Sequence, residues 1–258
     1  MKKILLIIPA YNEALNIKNT IEDIKNNGDY DYVIINDSSK DDTELICKRC
    51  QYNYINLPIN YGLTSAIQLG MKYAMKYKYD WVIQFDGDGQ HKAMYVNDLI
   101  KNLKDNHSNI VIGSRFVSQK KPKSLRMLGS RILSSVIFMT TGKFIKDPTS
   151  GMRAYDKKCI EEYIYNESLT PEPDSLVYFL KKKYKIEEVQ VEMDERKFGT
   201  SYLNLVKSIE YMSNMFFSII FVRFITRGRK VEKKYDNEFK INNVFFCIFC
   251  FFISNYKN

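Results

Sequence analysis

About a third of the way along the chain lies the stretch Trp81-Val82-Ile83-Gln84-Phe85-Asp86-Gly87-Asp88-Gly89-Gln90-His91. Its apolar beginning predicts a short buried strand. Asp86 and Asp88 are therefore expected just beyond the carboxyl end of that strand, at the edge of a sheet. Gly87 and Gly89 allow a tight turn in which the two carboxylates converge on one hard divalent cation, which in turn takes the phosphate oxygens of a substrate. The alternative interpretation is a solvated acidic turn. A calcium-binding EF-hand loop is excluded, because a histidine and an asparagine stand where that loop needs glycine and a bidentate glutamate.

Strand and helix patterns alternate before and up to this stretch. Four segments predict strands, namely Lys3–Ile8, Tyr32–Ile35, Tyr54–Leu57 and Asp80–Phe85. The helices between them are predicted at Glu13–Asn26 (capped by Asn12 and closed by Gly28), after Asp41 or Asp42, and at Gly62–Tyr77. This order predicts an α/β fold with a doubly wound parallel sheet, whose ligand site lies beyond the carboxyl ends of the strands.

Three polar clusters fall at predicted strand ends: Pro9–Glu13, Asn36–Asp42 and Asp86–Gln90. Each alone is typical of a capped turn, but all three at one edge of a sheet predict a site. The sequence lacks a dinucleotide-binding Gly-x-Gly-x-x-Gly motif after the first strand, and it also lacks a Gly-Lys-Ser/Thr phosphate loop. We therefore expect a metal and basic side chains to neutralise phosphate charge.

The chain continues with a predicted helix (Tyr95–Leu103), a strand (Ile110–Gly113), a basic loop (Lys120–Lys123) and a helix over Ser124–Thr141. Further on, Pro171-Glu172-Pro173-Asp174 has the composition of a helix start, with proline and acids in the first turn.

Length and charge narrow the class of protein. The 258 residues suffice for one sizeable α/β domain and an appendage, and the net charge of +9 predicts an anionic partner. Nucleic acid is not expected, because the basic residues cluster beside apolar segments and no recognition motif is present. The N-terminus does not resemble a signal peptide, and no stretch reaches the ~18 apolar residues of a spanning helix. The pairs Cys47/Cys50 and Cys247/Cys250 are interpreted as helix-face spacing in preference to a zinc site.

With these clusters in place, residues 1–205 resemble the family 2 glycosyltransferases, which are inverting enzymes with the GT-A fold, a Rossmann-like, mostly parallel sheet with helices on both faces. The matching segments run in family order: Pro9–Glu13, Asn36–Thr43, Asn60-x-Gly62, Asp86–Asp88, Gly113–Phe116, Asp147–Arg153 and Arg196–Ser201. Gln90-His91 is similar to the polyprenyl-phosphate branch, which includes enzymes like dolichol-phosphate-mannose synthase. One departure is Asn36, which stands where the family has its first Asp.

The resemblance implies a role for each of several residues. Nucleotide-sugar binding is assigned to Pro9, Tyr11, Glu13, Asp37, Asp86 and Arg115. Mg²⁺ or Mn²⁺ is assigned to Asp86, Asp88 and Gln90, so that the cation stabilises the leaving nucleotide diphosphate in place of a general acid. The catalytic residues are assigned as Asp88, Glu172, Asp174 and Arg196. Arg115 and Arg196 are expected to clamp phosphate.

The acceptor is left open between two classes. A lipid phosphate is already an anion and needs no general base, whereas a sugar hydroxyl does. Arg131 and Ser135, one helical turn apart, match acceptor-phosphate positions of the polyprenyl-phosphate branch and favour the lipid. Glu172 or Asp174 lies where many family members place a base, which favours a saccharide hydroxyl in cell-surface polysaccharide synthesis. We prefer the polyprenyl phosphate.

The last segment, 202–258, is predicted to form an amphipathic, basic, membrane-associating tail behind a catalytic domain over 1–201. Tyr202–Ile225 has apolar residues at helical spacing and is followed by a basic cluster, as in an interfacial anchor; the alternative is a helix packed on the catalytic domain. Val244–Ile253 is intensely apolar but too short to span a bilayer. These features predict a peripheral protein on the cytoplasmic face of the cell membrane.

Two further functions are weighed against this one. A nucleotidyltransferase that makes nucleotide sugars would carry a Gly-rich loop with Arg and Lys after its first strand, which Pro9–Glu13 does not resemble. A non-enzymatic, membrane-bound nucleotide-sugar-binding scaffold would keep the fold without turnover, but the intact pair Asp86/Asp88 argues against it.

Overall fold

The computed structural model describes residues 3–194, 215, 216, 218 and 219, except for the side chains of residues 125 and 126. Within this part of the chain, seven strands form one sheet in the order β3-β2-β1-β4-β6-β5-β7. The strands are β1 (Ile4–Ala10), β2 (Asp31–Asn36), β3 (Tyr54–Asn56), β4 (Trp81–Gln84), β5 (Ile110–Ser114), β6 (Arg153–Asp156) and β7 (Ile186–Gln190). The helices are α1 (Ile17–Asn27), α2 (Thr43–Arg49), α3 (Leu63–Lys76), α4 (Val96–Asp105), α5 (Leu125–Thr141), α6 (Lys157–Tyr165) and α7 (Pro173–Lys181).

Helices cover both faces of the sheet, as predicted for strands that read as continuous apolar runs. On one face, α3, α5, α6 and α7 bury a cluster that includes Leu5, Ile7 and Val82. On the other face, α1, α2 and α4 bury a cluster around Leu6 and Ile8. The site at the sheet's edge is therefore supported from both sides.

The sheet is mixed, which the strand–helix alternation did not predict. Strand β6 pairs antiparallel with both β4 and β5, whereas the pairs β1–β2, β1–β4, β2–β3 and β5–β7 are parallel. Because β6 runs in the opposite direction, the residues that precede it, and not those that follow it, reach the edge where the parallel strands end.

The prediction that a helix starts at Glu13 and is capped by Asn12 is wrong. Helix α1 begins at Ile17, and Asn12 has φ 57°, a left-handed conformation that begins no helix. The amide groups of Asn16 and Ile17 turn back onto the Glu13 carbonyl at 2.9 and 2.8 Å, so residues 11–16 form a compact loop. The predicted end of the helix at Gly28 is confirmed.

Strand β1 continues through Pro9 to Ala10, two residues beyond the predicted end. Strand β4 pairs with β1 only over Ile4–Ile7, so Pro9 lies where β1 has a neighbour on the β2 side alone. The missing amide hydrogen of proline is tolerated at such an edge. Helix α5 agrees with its prediction and is capped by Ser124, whose hydroxyl accepts from the Met127 amide.

Candidate active site

The carboxyl ends of β1, β2 and β4 bring residues 9–16, 36–43 and 86–91 to one edge of the sheet, as predicted, and we call these three segments the rim. The Thr20 hydroxyl in α1 donates to the Gly87 carbonyl at 3.3 Å. A Cβ on Gly87 would lie 3.0 Å from the Pro9 carbonyl oxygen. The first and third segments are thus in close backbone contact.

Side chains join the first two rim segments to each other. The Asn12 amide donates to Ser39 Oγ at 2.9 Å, and the Lys40 amide donates to Asn12 Oδ1 at 2.8 Å. The Ala14 amide donates to Asp41 Oδ2 at 3.0 Å. This reciprocal bonding explains the left-handed backbone of Asn12 and makes the two loops one unit.

Asp37 is 4% exposed and organises the start of α3. Its two carboxylate oxygens accept from the Tyr61 and Gly62 amides, each at 2.7 Å. Next to it, Asn36 donates to Asn56 and accepts from the Ser39 hydroxyl. Asn36, which departs from the family pattern, therefore has a structural role in holding the second loop.

Tyr11 and Glu13 differ in exposure although both belong to the first rim segment. The Tyr11 ring is exposed at the rim, whereas Glu13 is buried and accepts a hydrogen bond from Asn16 Nδ2 at 2.7 Å. Tyr11 therefore has the surface on which a planar ligand group could stack, and Glu13 is fixed behind it.

His91 holds Asp86 from two directions. The Asp86 amide donates to His91 Nδ1 at 2.9 Å, so this nitrogen is the acceptor and Nε2 carries the proton. Nε2 lies 3.6 Å from Asp86 Oδ2. The imidazole is buried edge-on against Phe85. The sequence places His91 beside the two aspartates, but nothing in the motif indicates this positioning role.

Gly151 forms a cradle for the same carboxylate. A Cβ at this position would lie 2.5 Å from Asp86 Oδ2, so any side chain here displaces the aspartate. The Ser150 hydroxyl fixes this segment by donating to the Gly113 carbonyl at 2.6 Å. The antiparallel direction of β6 is what brings Gly151 to the rim.

The donor set around Asp86 and Asp88 suits Mg²⁺ or Mn²⁺. Asp88 Oδ1 accepts from the Gln90 amide at 3.0 Å, and Gln90 Nε2 donates to the Asp194 carbonyl at 3.3 Å. Across the part of the chain that the structure describes, no group of three or more His, Cys, Asp or Glu side chains could hold a metal by itself. Magnesium typically takes one or two protein carboxylates and completes its shell with substrate phosphates and water, so two aspartates and one amide oxygen fit.

A pocket of about 220 Å³ opens beside Asp86 and has Glu172 in its wall. Asp174 does not line it. Its carboxylate accepts from the hydroxyls of Thr170 and Ser218, at 2.8 and 2.6 Å. Of the two acids weighed as a base, the structure brings Glu172 to the site and engages Asp174 in helix-start and packing contacts.

Arg115 has a protein partner for its guanidinium. Its Nε and Nη2 donate to the two oxygens of Asp147 at 2.8 and 2.9 Å, and Asp147 is fully buried. The Phe116 ring lies 5.2 Å from the Arg115 guanidinium carbon and 5.6 Å from Lys121 Nζ. The predicted phosphate clamp at Arg115 is thus also the charge partner of a buried acid.

Lys121 sits in a cationic neighbourhood that sequence analysis noted only as a basic loop. Its Nζ donates to the hydroxyls of Ser130 and Ser134 on α5, at 2.8 and 3.3 Å. Burial lowers the pKa of Lys121 and outweighs the carboxylates of Asp147 and Glu188, which raise it; the charges of Arg131 and Arg115 lower it further. An added anion here would be stabilised by all three cations.

Arg131 ties the basic loop to α5, since its Nη2 donates to the Lys121 and Pro122 carbonyls at 2.7 and 3.2 Å. Ser135 is exposed and donates to the Arg131 carbonyl at 3.0 Å. Lys123, Ser124, Leu128 and Arg131 line an open groove of about 340 Å³. The predicted acceptor residues therefore lie on the outer side of α5.

The outer side of α5 is apolar as well as basic. Large apolar side chains are about half exposed or more along the helix and just beyond it: Leu128, Ile132, Phe138, Met139 and Phe144. We call this surface, with Lys121, Lys123 and Arg131, the α5 face. Its apolar extent exceeds the single exposed residues that are ordinary on soluble proteins.

Arg196 and most of the predicted tail lie outside the described residues. Of the tail, Ile219 is fully buried, and Met215 and Phe216 pack against the sheet's core cluster. These residues agree with the alternative of a helix packed on the catalytic domain. Among the described residues, no helix has the length and apolar character to cross a membrane.

Comparison with known proteins places this architecture in a family. Glycosyl transferase family 2 matches residues 5–164. UDP-N-acetylglucosamine–dolichyl-phosphate N-acetylglucosaminyltransferase of Methanococcus voltae is 30% identical over 213 residues, which cover 74% of this chain and 85% of that protein. Dolichol-phosphate mannosyltransferase of Pyrococcus furiosus is 30% identical over 83% of this chain and 63% of that protein.

A solved structure supports the same architecture. Glucosyl-3-phosphoglycerate synthase from Mycobacterium tuberculosis, in complex with Mn²⁺, UDP and glucosyl-3-phosphoglycerate, has a TM-score of 0.60 at 16% identity, with 88% of this chain and 80% of that chain covered. The rim, the mostly parallel sheet and the extent of the family match lead to one conclusion: the chain is a glycosyltransferase that belongs to glycosyl transferase family 2 and has the GT-A fold.

Proposed function

We propose that this enzyme transfers a sugar, with inversion, from a nucleotide-diphosphate sugar to a polyprenyl phosphate. The observation that carries the proposal is the Asp86-Gly87-Asp88 turn, fixed at the rim by His91 and by the space that Gly151 leaves. Two carboxylates that are held in place at the carboxyl end of a strand are suited to bind the cation that accompanies a diphosphate.

The donor is proposed to lie along the rim. Tyr11 offers its exposed ring to the base, while Pro9, Glu13 and Asp37 shape the pocket for base and ribose. Asp86, Asp88 and Gln90 would hold Mg²⁺ or Mn²⁺, which neutralises the charge that develops on the departing nucleotide diphosphate. Arg115 and Arg196 add positive charge for the phosphates. The relative solved with Mn²⁺ and UDP supports this arrangement.

The acceptor phosphate is proposed to bind at the α5 face. Arg131 and Lys123 provide positive charge, and Leu128 provides an apolar wall, in the same groove. Lys121 and Ser135, which are hydrogen-bonded to Arg131, add a charge and a hydroxyl next to it. A polyprenyl phosphate has this combination of an anionic head and an apolar chain. Relatives named for dolichyl phosphate and undecaprenyl phosphate support the same class of acceptor.

The same surface supports a peripheral membrane location. An apolar stripe flanked by lysine and arginine is the composition of an interfacial helix, and each basic side chain near an anionic surface contributes about 1 kcal/mol. We propose that the α5 face, together with the basic cluster of the predicted 202–258 tail, holds the enzyme at the cytoplasmic face of the membrane.

A saccharide hydroxyl as acceptor is the second candidate, and one observation favours it. Glu172 lies in the wall of the pocket beside Asp86, where a base would remove a hydroxyl proton. A lipid phosphate needs no such base.

A transfer assay with variants separates the two acceptors. Purified enzyme is given radiolabelled UDP-glucose, UDP-N-acetylglucosamine or GDP-mannose with Mn²⁺ and undecaprenyl phosphate, and label in the lipid phase is counted. We expect one donor to label the lipid and Arg131→Ala to lose most of this transfer, while Glu172→Gln and Asp174→Asn lose little. Arg49→Ala, an exposed arginine at the end of α2, is the control for lost charge.

The opposite pattern refutes the lipid acceptor. Abolished transfer in Glu172→Gln, with Arg131→Ala tolerated, means that the acceptor is a hydroxyl. Inversion is read from the anomeric proton coupling of the product, which for an α-linked donor must be that of a β-linked sugar phosphate.

A further inference from the structure

Two polar side chains form part of the floor of the pocket beside Asp86. Gln84 of β4 and Arg153 of β6 are directly paired across the antiparallel ladder, and each is 1% exposed. Two residues below them on the same face of the sheet, Val82 and Tyr155 belong to the apolar core. The pocket floor is therefore the point where this face changes from apolar to polar.

The hydrogen bonding of these two residues differs. The Arg153 guanidinium donates to the carbonyls of Ser150, Pro148 and Glu172, at 2.9, 2.8 and 3.3 Å. Gln84 Oε1 is buried and has no hydrogen-bond partner in the described part of the chain. The Tyr155 hydroxyl is the other buried side-chain group without a hydrogen-bond partner among the described residues, but Tyr155 does not line the pocket. Gln84 is thus a pocket-lining residue with a buried, unused acceptor.

An unused buried acceptor destabilises a protein, because no hydrogen bond compensates for the water it has lost. Such groups persist where a ligand supplies the missing partner. The pocket holds about 220 Å³, several times the ~30 Å³ of one water, so there is room for more than a single bridging water.

The chemistry of the lining indicates what the partner is. With Arg153 donating to carbonyls, the residues that line the pocket include Gln84, which has an unused carboxamide oxygen, and the acids Glu172 and Asp86. This set calls for hydroxyl groups. Because Asp86 is proposed to hold the cation on the donor diphosphate, the neighbouring group in the pocket is the sugar ring.

We infer that Gln84 is a specificity-determining residue whose Oε1 accepts a hydrogen bond from one hydroxyl of the donor sugar. This inference rests on the proposed nucleotide-sugar donor and adds the residue that selects the sugar. The identity of the acceptor has no bearing on it.

Binding calorimetry on Gln84→Met tests the inference. Methionine keeps the volume and removes the carboxamide, so the fold is retained. With Mn²⁺, we expect the affinity for UDP or GDP alone to be unchanged. The added affinity that UDP-glucose, UDP-N-acetylglucosamine or GDP-mannose has over its nucleotide should fall about tenfold, since a buried hydrogen bond is lost.

Deoxy donors identify the hydroxyl. For the sugar nucleotide that binds best, analogues lacking one hydroxyl at a time are compared in wild type and Gln84→Met. One analogue should bind wild type about tenfold more weakly than the parent sugar and bind Gln84→Met no more weakly, which shows that the residue and the hydroxyl are coupled.

A matched control is Gln68→Met. Gln68 is also buried, but its Nε2 is bonded to the carbonyls of Glu167 and Leu169 at 3.0 and 2.9 Å. We expect Gln68→Met to lower the melting temperature and Gln84→Met to leave it unchanged or raise it, because only the control breaks existing hydrogen bonds.

Three results would overturn the inference. The first is that Gln84→Met leaves the sugar-dependent affinity unaltered. The second is that every deoxy analogue loses the same affinity. The third is that no sugar nucleotide binds wild type better than its nucleotide does. Coupling to one hydroxyl without any transfer to undecaprenyl phosphate would refute the proposed acceptor and leave the role of Gln84 in place.

Discussion

The rim and the α5 face are both proposed to bind a substrate, but they are built in different ways. At the rim, side chains bond to the backbone of neighbouring segments, as Asn12, Asp37 and His91 do. On the α5 face, by contrast, the apolar side chains of Leu128, Ile132 and Met139 are about half exposed or more.

The difference indicates how each substrate is recognised. A rigid rim loses little conformational entropy when a small, polar donor binds, and so places a cation and a diphosphate accurately. An apolar surface is completed by its partner, and its free energy of binding comes from the apolar area that the partner covers. We therefore expect substitutions at the rim to change the rate of the reaction and substitutions on the α5 face to change the location of the protein.

The largest effect is expected from Asp88→Asn. The amide keeps the shape of the turn but removes a charge from the proposed cation site, so turnover should fall roughly a thousandfold, about 4 kcal/mol in barrier height. Initial rates at saturating Mn²⁺ measure this, with circular dichroism as the folding control. Near-normal turnover, or activity that persists in EDTA, would remove the cation from the proposal.

Gly151→Ala is expected to have the next largest effect. The added methyl group would meet Asp86 Oδ2 at 2.5 Å, so the carboxylate must move and Mn²⁺ affinity should drop about 10- to 100-fold. Gly142→Ala is the control for a loss of stability alone, since its Cβ would meet nothing within 4 Å while the φ of +78° strains an alanine there. Equal Mn²⁺ affinity in the Gly151 and Gly142 variants would show that the cradle is unimportant.

A double substitution tests the α5 face. Leu128→Ser with Ile132→Ser should weaken binding to phosphatidylglycerol vesicles by about tenfold, because both half-exposed side chains would lose apolar contact with the lipid. Flotation of the full-length protein at low and high salt measures it. Leu45→Ser, an equally exposed leucine on α2, should bind as wild type does, and a similar loss there would mean that the α5 face is not special.

The smallest effect is expected from Asn12→Ala, which is a test of rigidity at the rim. Alanine loses the exposed hydrogen bond from the Lys40 amide and tolerates φ 57° less well than asparagine, so the free energy of unfolding should fall by about 1 kcal/mol. Urea denaturation gives this value. An increase in KM for the donor with little change in kcat should accompany it, and unchanged stability would argue against a loop pair that acts as one unit.

The sequence was sufficient to predict the half of the sheet that precedes Asp86. Its strands are apolar runs with polar residues at their ends, a pattern that short-range chemistry explains, and the three clusters do meet at one edge. The start of α1 was misplaced because Asn12 has the composition of a helix cap, yet its side chain bonds across to a loop almost thirty residues away.

The remaining features depend on long-range pairing. Nothing in Arg153–Asp156 signals a strand that runs antiparallel between two others, and β7 was not predicted at all. The positioning of Asp86 by Gly151 and the unused acceptor on Gln84 follow from that pairing. In the sequence, the role of Gln84 is signalled locally by a polar residue that ends an apolar run two residues before the acidic turn.

The antiparallel strand β6 also matters while the chain is being made. The ribosome releases β1 to β4 first, and these strands can pair as soon as they emerge. The outer edge of β4, however, waits for Arg153–Asp156, which is translated only after β5 and α5. Until then an apolar strand with free amides and carbonyls is open to another nascent chain. We therefore expect slow synthesis between residues 85 and 152 to prolong this exposure and to favour co-translational aggregation.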